Sequence, residues 1–111
     1  LNLLDELDGR KIAVLGDMLE LGPYEKQGHE MVGLRAARVA DVLLTLGMRA
    51  RMIAEAAHRS GLSKSEIFEF NELEPIVAWL EKNLSGDDTV LVKGSHGLRM
   101  DRIVAALEVR S

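Results

Sequence analysis

Short apolar runs alternate with amphipathic stretches along almost the whole chain. The runs are Lys11-Ile12-Ala13-Val14-Leu15, Val42-Leu43-Leu44-Thr45-Leu46, Ile67-Phe68-Glu69-Phe70 and Thr89-Val90-Leu91-Val92. Runs this short, without clean polar alternation, fit strands covered on both faces. Helical patterns lie between them. The first covers about Pro23 to Ala40, where Gly28, Val32, Ala36 and Val39 recur at helical spacing and are small enough to pack closely on a sheet. The second covers Ala50 to Ser60, with Ile53, Ala54, Ala57 and Gly61 along one side. Asn71 reads as the N-cap of the third, with Glu74 three residues on and Pro75 still in the first turn, where its missing N–H does little harm. Leu73, Ile76, Val77, Leu80 and Leu84 form the clearest amphipathic stripe in the chain. A last helix is expected from about Arg99 to Glu108, carrying Met100, Ile103, Val104 and Leu107.

Strands that alternate with helices of this length imply right-handed crossovers and a parallel sheet. The expected fold class is therefore α/β: a Rossmann-like parallel sheet of four strands, in the order 3-2-1-4, with helices on both faces. Strands 1 and 4 are then neighbours with a topological switch point between them, and ligands of such sheets bind at that crevice. The loops there are Gly16–Gly22 and Lys93–Gly97, which are also the segments richest in glycine and polar groups.

Composition narrows the function classes. The 111 residues suit one domain, and 47% hydrophobic with 29% charged residues is a globular balance. Cysteine is absent, which excludes disulfides, thiolate metal sites and a cysteine nucleophile. Fourteen basic and eighteen acidic residues give a net charge of −4 with no long block of either sign, so no broad nucleic-acid surface is expected. No apolar run approaches the roughly 20 residues of a membrane span. Asn2 to Leu7 reads as the tail of a helix stopped by Asp8-Gly9, as in a fragment of a longer chain.

Candidate chemistry gathers at the two loops. In Lys93-Gly94-Ser95-His96-Gly97 the glycines let backbone N–H groups approach a ligand, Lys93 adds a charge and Ser95 a hydroxyl, so the turn could hold a carboxylate or phosphate. The alternative is a tight turn with Lys93 in water. Asp17, directly after the first strand, could orient a substrate ammonium or a water, or could instead accept backbone N–H groups and shape its own loop. Met18, Leu19 and Leu21 suit either packing under the following helix or facing another domain. His29 could reach Asp17 or a ligand, or be a hydrogen-bonded core residue. His58 reads as a surface residue, and His96 lies inside the candidate turn. Neither a P-loop nor a Gly-x-Gly-x-x-Gly after the first strand is present.

The segments Val14 to Gly33, VLGDMLELGPYEKQGHEMVG, and Thr89 to Leu107, TVLVKGSHGLRMDRIVAAL, together resemble the Mur ligase family, in the branch that joins D-alanyl-D-alanine to a UDP-N-acetylmuramoyl tripeptide. The Gly-Asp-Met-x-Glu-Leu-Gly loop, a histidine several residues later and a Lys-Gly-Ser turn before a Met-acidic helix occur in that order in the family. Residues 38 to 84 match only in pattern. The resemblance implies the C-terminal domain of a three-domain cytoplasmic enzyme of peptidoglycan synthesis. Such an enzyme uses ATP and Mg2+ to activate the tripeptide carboxylate as an acyl phosphate, which the dipeptide amine attacks. It also implies that the P-loop and magnesium ligands belong to the central domain, over which this one closes while helping hold the dipeptide and ATP. Carried over by position, Asp17, His29, Lys93, Gly94 and Ser95 match family site residues. His96 stands where arginine is common and Asp101 where glutamate is common, and the family's Tyr-Asn-Ala-Asn-Pro segment has no counterpart, so the domain is expected to lack its first strand. Two other readings are a related amino-acid ligase, such as a folylpolyglutamate synthase, and a non-catalytic module that binds a small anion.

Overall fold

The computed structural model describes residues 9–19, 21–94 and 102. Four strands, β1 (Lys11–Gly16), β2 (Val42–Leu46), β3 (Ile67–Phe70) and β4 (Thr89–Lys93), form one sheet in the order β3-β2-β1-β4. All three pairings are parallel. The helices between them are α1 (Glu25–Val39), α2 (Arg51–Arg59) and α3 (Leu73–Asn83). Short 3-10 turns at Gly22–Tyr24 and Lys64–Glu66 precede α1 and β3. The expected parallel α/β sheet and its strand order are both observed.

The strand sequences are apolar almost throughout because both faces are covered. Ile12, Val14, Val42, Leu44 and Leu46 point to one face and meet Leu73, Ile76 and Leu80 of α3. Ala13, Leu15 and Leu43 point to the other and meet Ala36, Ala40, Ala50, Ile53 and Ala57, from α1, α2 and their ends. Alanine dominates the second layer, so α1 and α2 lie close to the sheet and to each other. The stripe foreseen on α3 is present, with Val77 and Leu84 half-buried at its margin.

Two local expectations need correction. The helix after β3 takes Glu72, not Asn71, as its N-cap, with an extended backbone and no side-chain cap bond. Leu73 must join Ile76 and Leu80 in the core, at i, i+3 and i+7, and that fixes the first helical turn one residue later than the cap signal suggests. On α1 the fully buried positions are His29, Gly33 and Ala36, whereas Gly28, Val32 and Val39 are only half-buried. The stripe is rotated because α1 packs on α2 as well as on the sheet. The expected opening helix tail and all of the last helix except Arg102 fall outside the described residues.

At the start of the strands an ion pair ties β1 to the turn before β4. Arg10 donates from Nε and Nη2 to the two carboxylate oxygens of Asp88, at 3.1 and 2.6 Å, and from Nη2 to the Asn83 carbonyl at 2.7 Å. The Ser85 N–H also donates to Asp88, at 2.9 Å. The bond from Arg10 is the main reason the Asp88 carboxyl titrates below its ordinary 3.8. A depressed carboxyl stabilises the fold above its unfolded pKa, and that contribution is lost as pH falls through the lower folded value. Asp88→Asn should therefore cost about 1–2 kcal/mol at neutral pH, a figure held down because the guanidinium is partly exposed. The gap between wild type and variant in denaturant unfolding should stay constant down to about pH 4 and close below it. A gap independent of pH would rule out the charged pair as its source.

Candidate functional site

The register places the strand ends flush. Gly16 pairs with Leu46, Leu46 with Phe70, and Leu15 with Lys93. The chain therefore leaves β2, β1 and β4 side by side on one lip of the sheet, in that order. Asp17 and Lys93 lie on adjacent strands of this lip, as the sequence implies. The ladder runs slightly past the strands: the Asp17 N–H donates to the Leu46 carbonyl at 3.0 Å, and the Gly47 N–H to the Phe70 carbonyl at 2.9 Å.

Asp17 is 6% exposed. Its Oδ1 accepts the Ala50 N–H at 2.7 Å, just before α2, and so satisfies a donor that no helical carbonyl can reach. Gly47 makes room for this bond. Its φ is +108°, and a Cβ built on it would lie 2.4 Å from Asp17 Oδ1. Only glycine permits both the backbone conformation and the approach of the carboxylate.

His29 is fully buried on α1. Its Nδ1 lies 2.7 Å from the Glu25 carbonyl, which can only accept, so Nδ1 carries the proton. Nε2 is then left to accept the Met18 N–H at 3.0 Å. Asp17 and His29 thus meet through neighbouring backbone positions: one anchors the loop to α2, the other anchors it to α1. The apolar part of the loop divides. Leu21 and Met18 approach Gly28, where a Cβ would lie 2.8 Å from Leu21 Cδ1, so these side chains pack against α1. Leu19 is 43% exposed, and Tyr24 and Met48 are still more open to solvent.

Lys93 and Gly94 are exposed at the end of β4. Ser95 and His96 lie outside the described residues. His58 is exposed, as its sequence position suggests, and its Nδ1 lies 3.1 Å from the Leu62 carbonyl. Among the described residues no group of three His, Cys, Asp or Glu could hold a metal ion, and no helix is long and apolar enough to cross a membrane. A groove of about 400 Å³ beside α2 and β3, lined in part by Glu55, His58 and Lys64, contains none of the candidate residues that are among the described ones.

Sequence reading missed Arg49. It follows β2 on the same lip, donates from Nε to Glu25 Oε1, and places Nη1 3.7 Å from Asp17 Oδ2. The bond to Glu25, and then that residue's charge, raise the pKa of the guanidinium above its ordinary value. The only signal available was a basic residue two places after the glycine that ends β2, in a loop that the strand order brings beside Asp17.

Fold and lip define a class: a doubly covered parallel α/β domain with its polar loops at the switch point. Residues 1–96 match the family described as Mur ligase, glutamate ligase domain, and the chain belongs to that family. It is 33% identical over 100 residues to the UDP-N-acetylmuramoyl-tripeptide–D-alanyl-D-alanine ligase of Bacillus subtilis, covering 89% of this chain and 22% of the relative. With the ligase of the same name from Escherichia coli the identity is 32%, over 96% of this chain and 23% of the relative. The crystal structure of the MurF ligase of Thermotoga maritima in complex with ADP matches at a TM-score of 0.76 and 30% identity, over 99% of this chain and 25% of that one. The chain thus spans about a quarter of the length of these proteins.

Proposed function

We propose that the chain serves as the C-terminal domain of an ATP-dependent ligase that adds D-alanyl-D-alanine to UDP-N-acetylmuramoyl-tripeptide in peptidoglycan synthesis. The observation that carries this reading is the juxtaposition on one lip of the loop that the buried Asp17 anchors and the exposed Lys93 and Gly94, in a chain whose relatives bear that ligase name. In this role Lys93, with the Gly94-Ser95-His96 turn, faces the carboxylate of the dipeptide. Asp17 and His29 act from beneath, holding the neighbouring loop in the shape that the substrate meets. Leu19, Tyr24 and Met48 provide apolar contact when the lip closes on the enzyme's central domain, which excludes water from the acyl phosphate.

ATP and Mg2+ would be held mainly by that central domain, since this chain has no P-loop and its described residues offer no metal cluster. What the domain adds is positioning: it brings the dipeptide amine into line with the activated carboxyl, and proximity of this kind accounts for much of the rate of a two-substrate reaction. The cytoplasm, where ATP is available, is the compartment this chemistry requires.

The test is phosphate release by the full-length enzyme given UDP-N-acetylmuramoyl-tripeptide and ATP. Release should depend on D-alanyl-D-alanine and not on single amino acids such as glutamate. Release driven by glutamate would instead favour the related amino-acid ligase, and no acceptor-dependent release would favour a binding module.

A further inference from the structure

The polar contacts at the lip close into a ring. Asp17 Oδ2 lies 3.7 Å from Arg49 Nη1, and Arg49 Nε donates to Glu25 Oε1. The Glu25 carbonyl accepts the Nδ1 proton of His29, and His29 Nε2 accepts the N–H of Met18, which follows Asp17 in the chain. The loop after β1 and the start of α1, close together in sequence, are joined in this way to each other and to the more distant loop after β2. The His29 and Asp17 links are buried. The Arg49 link is the exposed one, its side chain 45% accessible and that of Glu25 43%.

From this geometry we infer that Arg49 is a positioning residue for the ligation, closing the ring that fixes the Gly16–Gly22 loop in its substrate-facing shape. The inference rests on the function proposed above. Arginine suits the task because its planar fork offers Nε and Nη1 to two separate carboxylates, whereas a lysine ammonium would have to choose between them. Without the guanidinium, Glu25 and the outer oxygen of Asp17 lose the cation they share. The loop keeps its buried anchors at Ala50 and His29 but loses the brace on its solvent side. An exposed ion pair contributes little to stability. A displacement of about 1 Å at a substrate loop is nonetheless enough to slow a two-substrate reaction severely.

The experiment uses the full-length enzyme as wild type, Arg49→Ala, Arg49→Lys and the double variant Glu25→Ala/Arg49→Ala. Arg49→Ala should raise the dipeptide KM about tenfold while leaving the ATP KM and the thermal midpoint nearly unchanged. Arg49→Lys should recover part of that loss. The double variant should be no worse than Arg49→Ala alone, because both residues act through one link. A wild-type dipeptide KM in Arg49→Ala would overturn the inference and leave the proposed function intact. So would a loss that appears only together with a lowered thermal midpoint and a raised ATP KM, since that pattern marks general unfolding. Absence of dipeptide-dependent turnover in the wild type would overturn both.

Discussion

Replacing Gly33 with alanine should destabilise the chain by about 2 kcal/mol, although alanine is the better helix former. The reason is how closely α1 and α2 approach. A Cβ at Gly33 would lie 2.3 Å from the Ile53 carbonyl oxygen, 2.8 Å from Ala56 Cβ and 3.1 Å from the Ala57 nitrogen. Two of these three neighbours are backbone atoms of a regular helix, so no side-chain rotation relieves the contact, and the helices must part. Overpacking of this kind costs about 1–3 kcal/mol and occasionally more, against a helix-propensity gain of roughly 1 kcal/mol. With contacts this short the penalty belongs at or above the top of its range. In a domain of this size the net loss corresponds to a fall of about 10 °C in the thermal midpoint. Calorimetry showing no fall would mean that the two helices are free to separate, and the Asp17–Ala50 bond, which bridges to the start of α2, could not be a fixed feature of the lip.

The second large effect is expected at Lys93. Its side chain is exposed at the end of β4, beside the Asp17 loop, and no ion pair to it is found among the described residues. Lysine at such a place gains little for the fold, so Lys93→Ala should leave stability almost unchanged. If Lys93 pairs with the dipeptide carboxylate, its removal forfeits a charge-assisted hydrogen bond of about 1.5–3 kcal/mol. That is a rise of roughly 10- to 150-fold in the dipeptide KM at 25 °C. Because the carboxylate is remote from the reacting amine, the bond is made equally in ground and transition states, and kcat should change far less than KM. Lys93→Arg, which keeps the charge, should lie between the two. Initial-rate kinetics with each substrate varied in turn provide the check. A rise confined to the ATP KM would move Lys93 from the dipeptide to the nucleotide.

Much of the architecture was legible because the strands carry their burial in their sequences. Lys11–Leu15 and Val42–Leu46 have no polar face to turn to water, so they had to be inner strands, and the helices between them then dictated parallel pairing. Neighbouring strands 1 and 4 follow from that topology, which is why the sequence alone brings Asp17 and Lys93 together. Side-chain partnership was harder to read. Asp17 and His29 each had two plausible roles, and nothing in their spacing states that one reaches Ala50 and the other Met18. Both bonds are set by how α1 and α2 pack, and that depends on Gly33 and the alanines rather than on the polar residues themselves. Arg49 escaped for the same reason: its partners lie 32 and 24 residues away in sequence. Asn71 misled because a capping signal worth about 1 kcal/mol was outweighed by burial of Leu73 in the core.

The most direct test of the account is a crystal structure of the full-length enzyme with a non-hydrolysable ATP analogue and D-alanyl-D-alanine. The dipeptide carboxylate should lie within hydrogen-bonding distance of Lys93 or the turn that follows it, with the Asp17 loop alongside and the lip facing the nucleotide. A dipeptide bound wholly by other domains, with Lys93 and the Asp17 loop turned away from it into solvent, would contradict the account.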